Sequence, residues 1–135
     1  MNHKALFAVS LTLMIGVGAP ILAHHASAPF YDPEDRVELE GAITRFVFRN
    51  PHAFLFLDVT DESGDVVEWQ VELGAPVSLR RVGWTPDTLE VGMVVNVTGN
   101  RSRAEGTHGL CCVRMTREDG GPVLEGGRVR EANTN

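Results

Sequence analysis

Residues 67–83 read VEWQVELGAPVSLRRVG, and the fold turns on the change of period inside them. From Val67 to Leu73 the apolar residues Val67, Trp69, Val71 and Leu73 alternate with Glu68, Gln70 and Glu72. A period of two turns one set toward a core and the other toward water, which is the pattern of a half-buried strand. After Gly74-Ala75 the alternation stops. Pro76 suits the first turn of a helix, where its missing amide hydrogen is not needed. Val77 to Val82 supply about two turns, and Gly83 stands where a left-handed C-terminal cap belongs.

Working toward the N-terminus, Asp61-Glu62-Ser63-Gly64 closes a hairpin onto Ala53–Thr60, a nearly all-apolar run expected to be a strand covered on both faces. Asn50-Pro51 makes the turn before it, because proline cannot continue a ladder. Val37–Phe48 forms the first strand, with Val37, Leu39 and Ile43 on one parity and Phe46 and Phe48 on the other. Gly41 is the expected site of the bulge that bends it. Toward the C-terminus, Thr85-Pro86 starts a short turn, and Met93, Val95 and Val97 share one face of a fourth strand. Residues 100–109 are a polar loop, Leu110–Thr116 is a fifth strand, and Asp119-Gly120-Gly121 turns the chain into the stub Val123-Leu124.

Three strands, a short helix and two further strands give an all-β fold. The order is that of a five-stranded OB-like barrel with the helix between strands three and four. An open antiparallel sheet or a sandwich with the helix across one end is the alternative.

The chain begins with a leader. Asn2, His3 and Lys4 form a weakly basic start, Ala5–Ala23 is apolar apart from Ser10 and Thr12, and Gly16, Gly18 and Pro20 break it. Ile21-Leu22-Ala23 fits the small-residue cleavage pattern, so the mature chain is expected to start at His24-His25. An uncut anchor is the competing reading, since the apolar run approaches the length of a bilayer span. The glycines, the proline and the lack of a basic cluster after the run favour cleavage, and hence a periplasmic or secreted protein with no membrane segment left. The chain divides into a signal peptide at 1–23, an extended N-terminal arm at 24–36, an OB-like domain at 37–125 and a flexible tail at 126–135.

Cleavage removes Lys4, the only lysine, and takes the formal charge from −6 to −7. An acidic chain repels phosphate backbones and anionic lipid, so nucleic acid and membrane surfaces are poor partners. The remaining domain is large enough to build a core without disulfides.

The segments AHHASAPFYD (23–32), RFVFRNPHAFLFLDV (45–59) and VEWQVELGAPVSLRRVGWTPDTLEVGMVVNVTG (67–99), with the glycine-rich hairpin that follows the fifth strand, resemble a family of small exported bacterial proteins known mainly as a domain of unknown function. The resemblance covers most of residues 23–125 and rests on the His-His start and the Asn50-Pro51-His52-Ala53 motif. It implies export and a small β-rich domain, and it implies no activity. Cys111-Cys112 and His108 stand outside it.

In an OB-type barrel the loop between strands one and two and the loop between strands four and five flank one ligand face. The first holds His52 and the second His108. The arm spans up to about 43 Å when extended and reaches that rim. A copper or zinc ion held by His24, His25, His52 and His108 is therefore one reading, with copper ahead because an N-terminal histidine also offers its amine. Solvated or turn-forming histidines are the other, since no spacing matches a zinc finger, a zincin helix or a calcium loop.

Cys111 and Cys112 on a regular strand point to opposite faces and do not easily bond each other, with Cys111 expected beside Val113 and Met115 in the core and Cys112 outside. A strained vicinal disulfide, a bridge to another molecule through Cys112, and a soft-metal role with His108 are the minor alternatives. The chain has no Gly-x-Ser-x-Gly elbow, phosphate loop or dinucleotide fingerprint, so an enzyme is not expected. A non-catalytic accessory protein that docks onto an envelope partner through Phe30 and Tyr31 is the second functional reading.

Intact mass and N-terminal sequencing of exported protein should show a chain that starts at His24. Recovery of the full-length chain from the membrane fraction would reject cleavage.

Overall fold

The computed structural model describes residues 27–124. Its elements are β1 (Tyr31–Val47), β2 (Phe54–Thr60), β3 (Val66–Glu72), α1 (Pro76–Arg81), β4 (Val94–Ser102) and β5 (Gly109–Arg117). The five strands close in a ring in the order β1-β2-β3-β5-β4. All neighbouring pairs are antiparallel except β3 with β5. The fold is therefore all-β with one short helix between the third and fourth strands, as the alternation and its interruption at Pro76 predict. Among the described residues no helix is long and apolar enough to cross a membrane.

β1 closes the ring by pairing with β4 along its first part, from Tyr31↔Ser102 to Ala42↔Val94, and with β2 along its last, from Ala42↔Asp58 to Val47↔Phe54. The bulge lies at Thr44, between the pairs Ile43↔Leu57 and Arg45↔Phe56, and not at Gly41. That is where the apolar parity changes from Ile43 to Phe46. Gly41 has a different duty: a Cβ there would lie 2.8 Å from the Asp58 carbonyl oxygen and 2.9 Å from Val59 Cγ2, so only glycine lets the two strands approach.

β1 also begins at Tyr31, within the segment expected to be an extended arm, so residues 31–36 belong to the strand. Proline and acidic residues hid it by spoiling the alternation, and the β1–β4 register does slip between Asp32 and Arg36. β4 runs on to Ser102, which shortens the expected loop at 100–109.

The core fills the ring. Ile43, Leu55, Leu57, Val71, Val95, Val97 and Leu110 are fully buried, and Trp69 is 7% exposed. β2 is not covered on both faces as its composition suggests. Leu55, Leu57 and Val59 are buried, whereas Phe54 and Phe56 on the outer face are half-buried and Asp58 is exposed. The Arg45 guanidinium covers the Phe56 ring at 3.7 Å, so a long side chain replaces a second layer of structure.

α1 starts at Pro76 without a side-chain cap and closes one end of the ring with Pro76 and Leu79. Gly83 (φ +99°) ends it, with its amide donating to the Arg80 carbonyl at 3.0 Å and the Trp84 amide to that of Leu79 at 3.0 Å. This paired capping satisfies carbonyls that would otherwise face no donor.

Two substitutions test the arrangement. Trp69→Ala should cost about 3–5 kcal/mol in urea unfolding, as for other buried large aromatics; a variant that unfolds like the parent would reject the inward assignment. Gly99→Ala would place a Cβ 2.5 Å from Val113 Cγ1 and 2.8 Å from the Cys111 carbonyl oxygen. It should cost roughly 1–3 kcal/mol, in the range of overpacked cores.

Candidate functional site

The loop between β1 and β2 turns through a cis Asn50-Pro51 bond and delivers His52 beside the C-terminal end of β3. The ladder is prolonged past β2 by the Ala53 amide on the Gly74 carbonyl (3.1 Å) and the Leu73 amide on the Ala53 carbonyl (2.8 Å). These bonds hold His52 within reach of Glu72, whose ladder partner is Phe54. His52 Nδ1 pairs with Glu72 Oε1, and the Tyr31 hydroxyl donates to Glu72 Oε2 at 2.7 Å. One carboxylate thus ties the first loop to the start of β1. Burial, and then the hydrogen bond to Glu72 and its negative charge, push the Tyr31 phenol up, so it remains a donor.

The chain before β1 is strapped down. Arg103 in the β4–β5 loop donates through its two terminal nitrogens to both oxygens of Asp32 (3.1 and 3.2 Å) and through Nε to the Ala28 carbonyl (3.0 Å). Its own amide bonds the Phe30 carbonyl at 2.8 Å. A bidentate guanidinium–carboxylate pair with two further backbone ties holds one geometry better than a single exposed ion pair. Ser27 Oγ then lies 3.4 Å from Cys112 Sγ.

Cys111 is buried and Cys112 half-buried, as expected, but the regular alternation behind that expectation is broken. Cys112 has φ +58°, and β5 carries an extra residue between Cys111, opposite Asn100, and Arg114, opposite Thr98. Leu110, Val113 and Met115 belong to the core cluster and Cys111 does not. Cys111 is buried instead on the side of Glu72 and Tyr31, beneath the start of the chain. Desolvation there, together with a hydrogen bond to Cys112, pushes its thiol up.

The histidines do not all meet. His108 sets its ring edge-on to Trp69, with centroids 5.1 Å apart, and its carbonyl accepts from the Gln70 amide at 2.8 Å. Trp69 faces the core while Glu72, three residues on, faces outward, so His108 and His52 find their partners on opposite faces of β3. His24 and His25 lie outside the described residues. Among the described residues no three His, Cys, Asp or Glu side chains converge as a metal site.

Two hollows flank the His52–Glu72 pair. One of about 610 Å³ is lined by Phe30, Tyr31, Glu72, Ser102 and Arg103, and one of about 280 Å³ by Arg45, Arg49, His52, Phe54, Phe56 and Gln70. Sequence reasoning placed His52 at the rim but missed Glu72, Arg103 and the outward Phe54 and Phe56. Alternation along β3 had already put Glu72 on the outer face; what it could not supply was the register that sets Glu72 opposite Phe54, beside the loop.

No curated protein and no solved structure matches the chain. A family model matches residues 12–112, ending at Cys112 in β5. The protein belongs to a family of unknown function, DUF6152.

Proposed function

We propose that this protein is an exported, non-catalytic binding module of the periplasm or extracellular space that holds one copper or zinc ion at the outer rim of its barrel, copper ahead of zinc. The observation that carries the reading is the Glu72 carboxylate, which takes His52 on one oxygen and Tyr31 on the other. A histidine that ligates a metal characteristically gives its second ring nitrogen to a carboxylate, which fixes the tautomer and the ring orientation. With Nδ1 turned to Glu72, the lone pair of His52 belongs to Nε2.

The rest of the ligand set comes from the start of the mature chain. Ser27 sits against Cys112, and the three residues His24-His25-Ala26 come directly before it. Those residues span roughly 10 Å at most. In this reading His24 offers an amine and an imidazole and His25 a second imidazole. His108 has no place in this set because it belongs to the Trp69 face of β3.

The reading of an accessory protein that docks onto an envelope partner has its own observation. Phe30 is 69% exposed and borders the larger hollow. Tyr31 lines the same hollow, with its hydroxyl bound to Glu72.

Copper(II) added to the mature chain without a purification tag should bind with one equivalent and give a nitrogen-rich paramagnetic spectrum. Placing one alanine before His24, or making His52→Ala, should each weaken binding about tenfold or more, some 1.4 kcal/mol. Glu72→Gln keeps the shape but removes the charge that orients His52, and it should weaken binding by a factor of roughly 10, the low end for second-shell partners. Unchanged affinity in His52→Ala would reduce the site to chelation by the chain's start. Loss of a copurifying envelope protein in Phe30→Ser, with metal binding absent from the parent, would favour docking instead.

A further inference from the structure

We propose that Cys111 and Cys112 form a reversible vicinal disulfide when the protein meets a disulfide oxidant. The bulge carries the argument. On an unbroken strand, neighbouring side chains leave on opposite faces and their sulfurs stay apart. At Cys112 the backbone turns to φ +58°, a conformation that residues other than glycine and asparagine seldom adopt. With the extra residue it marks in β5, this turn cancels the alternation that would send the two side chains to opposite faces, and the Cys112 thiol is close enough to help push the Cys111 thiol up. The backbone alone gives no reason for cysteine at this position, because glycine or asparagine would satisfy the left-handed turn with less strain. The ladder accommodates the turn: Gly99 on β4 has no side chain, where a Cβ would meet Val113 and the Cys111 carbonyl.

The two thiols differ in the way a two-step exchange needs. Cys112 is partly exposed and borders Ser27, whereas Cys111 is 1% exposed. With oxidised glutathione as the oxidant, the Cys112 thiolate attacks one sulfur of the reagent. A bond forms between Cys112 and glutathione, and the first glutathione thiolate leaves and takes up the proton lost by Cys112. Cys111 then loses its proton and attacks Cys112 Sγ. The second glutathione leaves with that proton, so two protein thiols are oxidised and one reagent disulfide is reduced. Burial holds Cys111 as a thiol and makes this second step the slower one. Consecutive Cα atoms are about 3.8 Å apart, closer than the usual 4.4–6.8 Å of disulfides, so the bond is strained and readily reduced.

The test uses the whole mature chain, reduced and free of metal, then incubated with oxidised glutathione, quenched in acid and alkylated with a maleimide in denaturant. The expected product is a monomer two hydrogens lighter than the reduced chain, with no alkyl group added, that regains two alkylatable thiols in excess reduced glutathione. Cys111→Ser should instead stop at a glutathione adduct on Cys112. Two alkylated thiols in the oxidised parent, a lasting adduct on Cys112 in the parent, or a covalent dimer would each overturn the proposal.

Discussion

Everything in this small barrel depends on one long strand that changes partner along its length. β1 lies along β4 for its first part and along β2 for its last; the two ladders meet at Ala42, and the Thr44 bulge follows within the β2 ladder. Such a strand must be long, and its length moves Tyr31 to the far edge of the sheet opposite Ser102. From there the phenol reaches Glu72 on β3, although β1 and β3 are not neighbours in the ring. The candidate site is thus a by-product of closure. It collects residues from β1, β3, β5 and the first loop because the strand that closes the ring also brings the start of the chain over its outer surface.

Much of the architecture was legible because it follows from period. Val67 to Leu73 announces its strand by alternation, and Pro76 and Gly83 mark the helix by backbone chemistry that depends little on tertiary context. What period could not give were the places where a pleat is interrupted. Gly41 and Thr44 lie three residues apart, and composition favoured the glycine as the bulge, yet Gly41 is needed for close approach and Thr44 carries the extra residue. The same failure governs Cys111, which alternation assigns to the core but which the bulge at Cys112 leaves on the side of Tyr31 and Glu72. Tyr31–Arg36 was read as an arm because its prolyl and acidic composition lacks a buried set, while its strand character comes from Arg103 and β4, far away in sequence.

Candidate chemistry was harder to read than candidate fold for a related reason. His52 and His108 both occupy rim loops, and a loop map brings them together. The faces of β3 separate them, since one ring joins the outward carboxylate of Glu72 and the other the inward indole of Trp69. Trp69 is in turn covered by the Arg101 guanidinium at 5.2 Å, so His108 and Arg101 together form a polar lid on the core. The outer face, by contrast, is built from groups that are individually exposed or half-buried and gain definition from one another.

The parallel junction of β3 with β5 has a consequence for how the molecule breathes. It is held at Gln70↔Gly109 and Val71↔Leu110, a short stretch beside the long ladders of β1 with β4 and β2 with β3. A ring opens where it is most briefly joined, and local opening has its own free energy, separate from that of global unfolding. Glu72 and Cys111 lie just beyond this junction, on β3 and β5 respectively, so the floor of the outer cluster is also the hinge line along which the cylinder would unroll into a sheet. Any ligand that spans the two strands would act as a clasp, shifting the population toward the closed cylinder by its own binding free energy.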